Sequence, residues 1–402
     1  MSASTMCSVQ RGYVRRIVVQ ISIFLAVIVS TFLLCTVGFA GSSANVESWQ
    51  VSCQGLFKQD FSTYWLWVNY WIHGHNPYDT DRLRAYASSL NCVLTGSHYV
   101  PPFIVPLLVP VMVWPLNVAA VLWALLNVLM VAHITRVMLR EWRPTIRVRG
   151  PIAVALLVFS PATAACLAYG QFGILCAWAM VMASRSALRS TSLLPGVLSL
   201  AAIKPHLGFI YWLGFLGDTV RSRKVGVCVG AGGIMVLSTA LVEVLTPGAI
   251  SSWLNGAGGA LTWMGASPIT YLRLLAQTSQ RPVPLWPVVV GPLLALVYAI
   301  WHLKSAGRPF HRRLDLPLFA ALSLCSTPYL WSLDFSVLLI TELAVLVRFG
   351  SSSSSDRRLR VAAGIVMIAR VVLASQMLLG VSDYRTGWYP AAILLAAVLA
   401  GL

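Results

Sequence analysis

The 402-residue chain is 58% hydrophobic and 10% charged, whereas about a quarter of the residues in a soluble domain are charged. This excludes an ordinary soluble domain and predicts an all-α polytopic membrane protein over residues 1–402. The formal net charge of +17 does not point to nucleic acid, because 21 of the 29 Lys and Arg lie in six clusters between apolar runs, at 11–16, 136–149, 185–189, 221–224, 304–313 and 348–360; loops held in the cytoplasm show this distribution.

In chain order, residues 1–16 form a basic tail and 17–40 a first apolar run of spanning length, read as an uncleaved anchor because it exceeds a signal-peptide core. Residues 41–100 then form a first outer loop, on the periplasmic or extracytoplasmic side. Cys53 and Cys92 both fall there, and an oxidising compartment permits a disulfide between them. Within this loop Phe61, Tyr64, Trp65, Val68, Trp71 and Ile72 recur at helical spacing, predicting a helix with one wide aromatic face lying in the lipid interface. Asp60 stands where it can cap that helix. Gly74 and Asn76-Pro77 end it in a turn carrying Tyr78 and Asp79. An interfacial helix with an ordinary N-cap gives the same pattern.

The run 101–135 is broken at Pro106, Pro110 and Pro115. The basic loop after it stays inside only if one member of this pair is a half-span or re-entrant piece. Residues 150–169 run outward to Tyr169-Gly170-Gln171 and 172–184 return. The run 192–216 has basic residues on both sides and Lys204-Pro205-His206 near its middle. A lysine at the centre of a span costs about 2.5–3.5 kcal/mol on insertion scales, so this run is expected to be two limbs meeting at a corner that faces a water-filled cavity; a lysine snorkelling from a kinked helix is the alternative. Residues 225–246 go out, 247–283 form a second outer loop, 284–303 return, and 315–331 with 335–349 make a hairpin. A serine run at 351–355 precedes the last two segments, 361–380 and 388–402, for about ten to twelve membrane segments in all.

The chain has only 12 acidic residues. This topology puts Glu47, Asp60, Asp79, Asp81, Asp334 and Asp383 outside, and leaves Glu243 and Glu342 within apolar runs without an evident partner. Asp60 and Asp334 are the two set among aromatic residues at segment ends. There is no P-loop, His-Glu-x-x-His or nucleophile elbow. No metal site is evident, although Asp79 and Asp81 leave one open, and no cofactor is expected.

Several motifs, in order, resemble glycosyltransferase family 87, also called DUF2029. They are Asp60-Phe61-x-x-Tyr64, Gly74-x-Asn76-Pro77-Tyr78-Asp79, Tyr99-x-Pro101-Pro102, Gly170-Gln171, Ile203-Lys204-Pro205-His206, and Ser326-x-Pro328 followed by Trp331 and Asp334. The resemblance implies a GT-C-like bundle with a catalytic first outer loop and a polyprenyl-phosphate-linked sugar donor, mannose being the family-based expectation. It implies that Asp60 is the catalytic base and that Lys204 and the polar groups at 328–334 contact donor phosphate or acceptor. Tyr64, Asn76, Tyr78, Asp79, Gln171 and Trp331, at motif positions, are expected to contact substrate. Some members carry histidines after the Trp of the late motif, where this chain has Ser332-Leu333-Asp334.

The residue chemistry is compatible with that assignment. Such a donor keeps its tail in the membrane and its phosphate at the interface, so it needs a cavity with a cation, which Lys204 supplies; His206 and Arg273 are further candidates. An acceptor hydroxyl needs a base to take its proton, and the departing phosphate needs electrostatic stabilisation. The partners are then the lipid-linked donor, a glycolipid or glycan acceptor and membrane lipids, with no nucleic acid. The expected location is the plasma (inner) membrane, with the N-terminus cytoplasmic and the site on the outer face. A lipid-linked sugar transporter or flippase and a non-catalytic envelope-assembly protein are the rival classes.

Overall fold

The computed structural model describes residues 59–90, 92, 94, 100–141, 160–185, 194–257, 265–276, 286–351 and 356–402, and among these the chain is helical with no strand. The basic tail, the first apolar run, Glu47, Cys53, Tyr99 and positions 352–355 lie outside the described residues.

Helix α1 spans Gln59–Ile72, so Asp60 lies in its first turn instead of ahead of it. There the helix dipole favours a negative charge. On the predicted aromatic face Phe61, Tyr64, Val68 and Trp71 are buried against protein, Trp65 is partly buried and Ile72 is exposed, while Ser62, Thr63, Trp67 and Asn69 off that face are buried as well. Protein reaches both faces, because Asn69 Nδ2 donates to Met112 O at 2.8 Å and Trp65 Nε1, on the aromatic face, to Trp114 O at 2.8 Å. Helix α2 is Thr80–Ser89. Those two carbonyls belong to the end of α3 (Ile104–Met112) and the turn into α4 (Leu116–Glu141). At about 1.5 Å per residue, α3 is too short to cross the roughly 30 Å hydrocarbon layer, whereas α4 is long enough. The pair thus consists of one short helix and one of spanning length.

Helices α5 (Pro161–Tyr169) and α6 (Gly173–Ser184) meet at 116°. Gly170 makes that corner at φ 68°, with Gly170 N bonded to Leu167 O and Gln171 N to Cys166 O, the pattern of a glycine-terminated helix. A second corner, of 111°, separates α7 (Leu194–Ala201) from the 3-10 turn Pro205–Gly208 and α8 (Phe209–Arg221). Pro205 holds Lys204 out of helical geometry, at φ −129° and ψ 74°. The expected Lys-Pro-His corner is present.

The chain continues through α9 (Gly226–Leu245), α10 (Ala249–Ala257), α11 (Pro268–Ala276), α12 (Trp286–Ser305) and α13 (Leu316–Ser326). A 3-10 segment, Ser332–Leu338, leads into α14 (Leu339–Ser351), followed by α15 (Arg357–Leu378), the turn Asp383–Thr386 and α16 (Trp388–Leu399). Among the described residues, α4, α9, α12 and α15 are long and apolar enough to span a membrane, and the two bent pairs raise the number to six. This count leaves out the apolar run 17–40, which lies outside the described residues, and several other apolar runs form short helices. The 11 residues of α13, for example, are almost entirely buried among other helices. Conversely α9 and α12 are mostly exposed along their length, as lipid-facing helices are.

The two ends of the bundle differ. At the C-terminal end of α8, Arg312 Nε meets Asp218 Oδ2 at 2.5 Å, and Arg308 and His311 N converge on Asp315. The N-terminal end of α8 carries Lys204. Both acids left without a partner by sequence reasoning find one: in the core, Glu342 of α14 takes Arg370 of α15 at 2.5 Å and the Tyr389 hydroxyl of α16 at 2.6 Å. Glu243 accepts from Gly248 N and Ile250 N, both at 2.8 Å, and closes the turn into α10. Cys92 is disulfide-bonded, while the other described cysteines, Cys166, Cys176, Cys228 and Cys325, are free.

Candidate active site

Four residues from four distant segments form one hydrogen-bonded chain. Gln171 stands at its centre, aimed by the Gly170 corner. Trp123 Nε1 donates to Gly170 O at 2.8 Å, and a Cβ on Gly170 would stand 2.6 Å from Phe61 Cβ. The corner therefore lies directly against the first turn of α1, and only glycine permits both that approach and the left-handed backbone. Gln171 Nε2 donates to Asp60 Oδ2 at 2.6 Å, and its Oε1 accepts from Tyr64 Oη at 3.0 Å and from Lys204 Nζ at 3.0 Å. Lys204 Nζ also donates to Asp334 Oδ1 at 2.6 Å.

The groups differ in what each has left to use. Lys204 has three N–H donors and spends two of them within this chain. Asp334 is wholly buried and spends both oxygens, since Oδ2 accepts from Trp331 N at 3.1 Å. Asp60 is only partly buried, and its Oδ1 accepts no hydrogen bond from a described residue. Burial, and then the charges of Asp60 and Asp334, hold the Tyr64 hydroxyl well above its ordinary pKa. Tyr64 therefore stays a donor, and the Gln171 amide is locked in one orientation.

Aromatic rings flank the chain. The His206 ring lies 5.8 Å from that of Tyr329, Tyr329 lies 6.0 Å from Trp331, and Trp331 Nε1 donates to the Tyr329 hydroxyl. Arg273 is buried in α11, which packs on α12, α13 and α16. The first-loop motif is used differently. Asn76 Oδ1 accepts from Tyr78 N at 2.9 Å while its Nδ2 reaches Ser252 of α10 at 3.1 Å, Tyr78 Oη donates to Val100 O at 3.0 Å, and Asp79 caps α2 by accepting from Arg82 N. These three side chains build the loop and tie it to its neighbours.

One acidic residue joins the site that motif reading did not select. Asp383, in the turn between α15 and α16, accepts from Ser332 N with both oxygens, at 3.2 and 3.1 Å. Burial pushes its carboxyl up to about 6, with the Asp334 and Asp60 charges adding to the rise and the Ser332 bonds opposing it. Its place among the few acids that the charge pattern assigns to the outer side was the one sequence signal available. The described residues contain no group of three His, Cys, Asp or Glu that could hold a metal ion.

A partly exposed carboxylate and a lysine-centred ion pair, joined through one amide, can accept a proton at one end and meet an anion at the other. No curated protein and no solved structure matches the chain. The glycosyltransferase family 87 model matches residues 98–375, which contain Gln171, Lys204, Trp331 and Asp334 but not Asp60 or Asp383. With the match covering more than half of its length, this multi-helix membrane protein belongs to glycosyltransferase family 87.

Proposed function

We propose that the protein transfers a hexose, mannose in the first instance, from a polyprenyl-phosphate donor to a hydroxyl of a glycolipid or glycan on the outer face of the plasma membrane, by a single inverting displacement. The observation that carries this reading is the chain Asp60–Gln171–Lys204–Asp334, which joins a base candidate to a cation through one side chain. Asp60 Oδ1 takes the acceptor's proton as the acceptor oxygen bonds to the anomeric carbon. The bond from that carbon to the phosphate oxygen breaks, and its electron pair leaves with the phosphate. The remaining N–H of Lys204 meets that negative charge, where preorganised electrostatics contribute most. Gln171 fixes Asp60 Oδ2, so the base needs no reorientation during the reaction. The gathering of Arg308, Arg312 and Arg221 at the far end of α8 supports placing the site outside, given the cytoplasmic preference of basic loops.

The test is reconstitution of purified protein with labelled polyprenyl-phosphate mannose and candidate acceptors. Label is expected in a new glycolipid or glycan with inverted anomeric configuration. Transfer from a nucleotide sugar but not from the lipid-linked donor would overturn the donor assignment. Movement of intact donor across the bilayer without transfer would favour a transporter.

A further inference from the structure

Three short segments lock together beside the Lys204–Asp334 pair. Ala266 N donates to Leu330 O at 2.5 Å, and Gly265 lies against the backbone of Leu330 so closely that a Cβ would strike it. A Cβ on Gly387 would lie 2.8 Å from Ser267 O, and Tyr271 Oη donates to Arg385 O at 2.7 Å. Ser332 N, the third connection, is held by Asp383. Residues 265–271, 330–332 and 383–387 thus form a closed clasp. The residue next to Ser332, Trp331, gives its own N–H to Asp334, and Asp334 N returns a bond to Trp331 O at 2.9 Å. Whatever fixes Ser332 therefore fixes the backbone from which Asp334 reaches Lys204.

We infer that Asp383 is a positioning residue for glycosyl transfer, holding the 331–334 turn, and through it the Lys204–Asp334 pair, by accepting the Ser332 N–H. The residue lies beyond the segment that matches the family, so the last two helices contribute to the site through this contact. The inference rests on the transfer reading above. If the wild-type protein shows no transfer, that reading fails; if it transfers and the variants below behave otherwise than stated, the inference alone fails.

The experiment compares Asp383→Ala, Asp383→Asn and Ser332→Pro in purified protein with labelled polyprenyl-phosphate mannose. Alanine removes the acceptor, and a displacement of about 1 Å at a reacting group costs on the order of a hundredfold, so kcat is expected to fall by roughly 10- to 100-fold with little change in donor KM. Asparagine keeps an oxygen facing Ser332 N and is expected to recover kcat to within about fivefold of wild type. Proline at 332 removes the same bond from its other end. The backbone there suits proline, because Ser332 is the first residue of a 3-10 helix and Trp331 is extended at φ −102° and ψ 154°. Ser332→Pro should match Asp383→Ala, and the two together should be no worse than either. Wild-type kcat in Asp383→Ala, or Asn as impaired as Ala, would overturn the inference; if Asp383→Ala does not fold, Ser332→Pro with wild-type kcat does so alone.

Discussion

Lys204 and Asp334 are 130 positions apart in sequence and meet in an ion pair of 2.6 Å, with side chains 11% and 0% exposed. Burying two charges is costly, and removing one partner of such a pair typically destabilises by about 3–5 kcal/mol because the other is left uncompensated. Lys204→Met should therefore lower the melting temperature as well as abolish transfer. Lys204→Met with Asp334→Asn removes both charges and should recover most of the melting temperature without recovering transfer. Transfer returning together with stability in the double variant would reduce the pair to a structural role.

Gln171 links the two ends of the site, with Asp60 on its Nε2 and Lys204 on its Oε1. Gln171→Met keeps length and removes both hydrogen-bonding ends, so Tyr64 loses an acceptor, Lys204 keeps only Asp334, and Asp60 Oδ2 is released. A loss of about 10- to 100-fold in kcat is expected, with the fold retained because Tyr64 and Phe172 still pack at 4.4 Å. Steady-state kinetics on reconstituted protein checks this, and unchanged kcat would mean that Asp60 needs no orientation.

The corners of this site were legible because backbone chemistry announces them. Gly170 before Gln171, and Lys204 before Pro205, carry a local bias against continuing a helix. The partner of each side chain was less legible. Glu342 read as a charge in an apolar run without a partner because nothing local brings α14 and α15 into register. Periodicity in α1 identified the aromatic face but not the burial of Asn69, whose partner is a carbonyl 43 positions on. Asp383 was passed over for the same reason: its partner is the backbone N–H of Ser332, and a backbone group leaves no motif.

The carboxyl of Asp383, pushed up to about 6 by burial, gives a signed pH effect. The folded protein holds this proton to higher pH than the unfolded chain does, so the group lowers stability as pH rises from about 4 to about 6, by roughly 3 kcal/mol in full at about 1.4 kcal/mol per pH unit. Asp383→Asn removes that cost. Its melting temperature in detergent should exceed wild type at pH 7 and converge with it near pH 4. An equal offset at both values would assign the difference to packing instead.

The final prediction concerns the base. Among the three carboxylates near the site, Asp334 spends both oxygens on Lys204 and Trp331 N, and Asp383 spends both on Ser332 N. Asp60 is partly exposed and is the one of the three with an oxygen, Oδ1, that accepts nothing from a described residue. A general base typically contributes about a hundred- to ten-thousandfold in rate. Asp60→Asn keeps the size of the side chain, and its amide oxygen can still accept from Gln171 Nε2, so the change isolates charge and proton acceptance from placement. Transfer is expected to fall into that range while donor binding, membrane insertion and melting temperature stay close to wild type. Asp60→Ala should be no less inactive, because the lost proton acceptor and not the lost contact sets the rate. Turnover near wild type in Asp60→Asn would remove Asp60 from the mechanism. With Asp334 and Asp383 already engaged, the base would then have to come from the acceptor's own surroundings or from the donor phosphate.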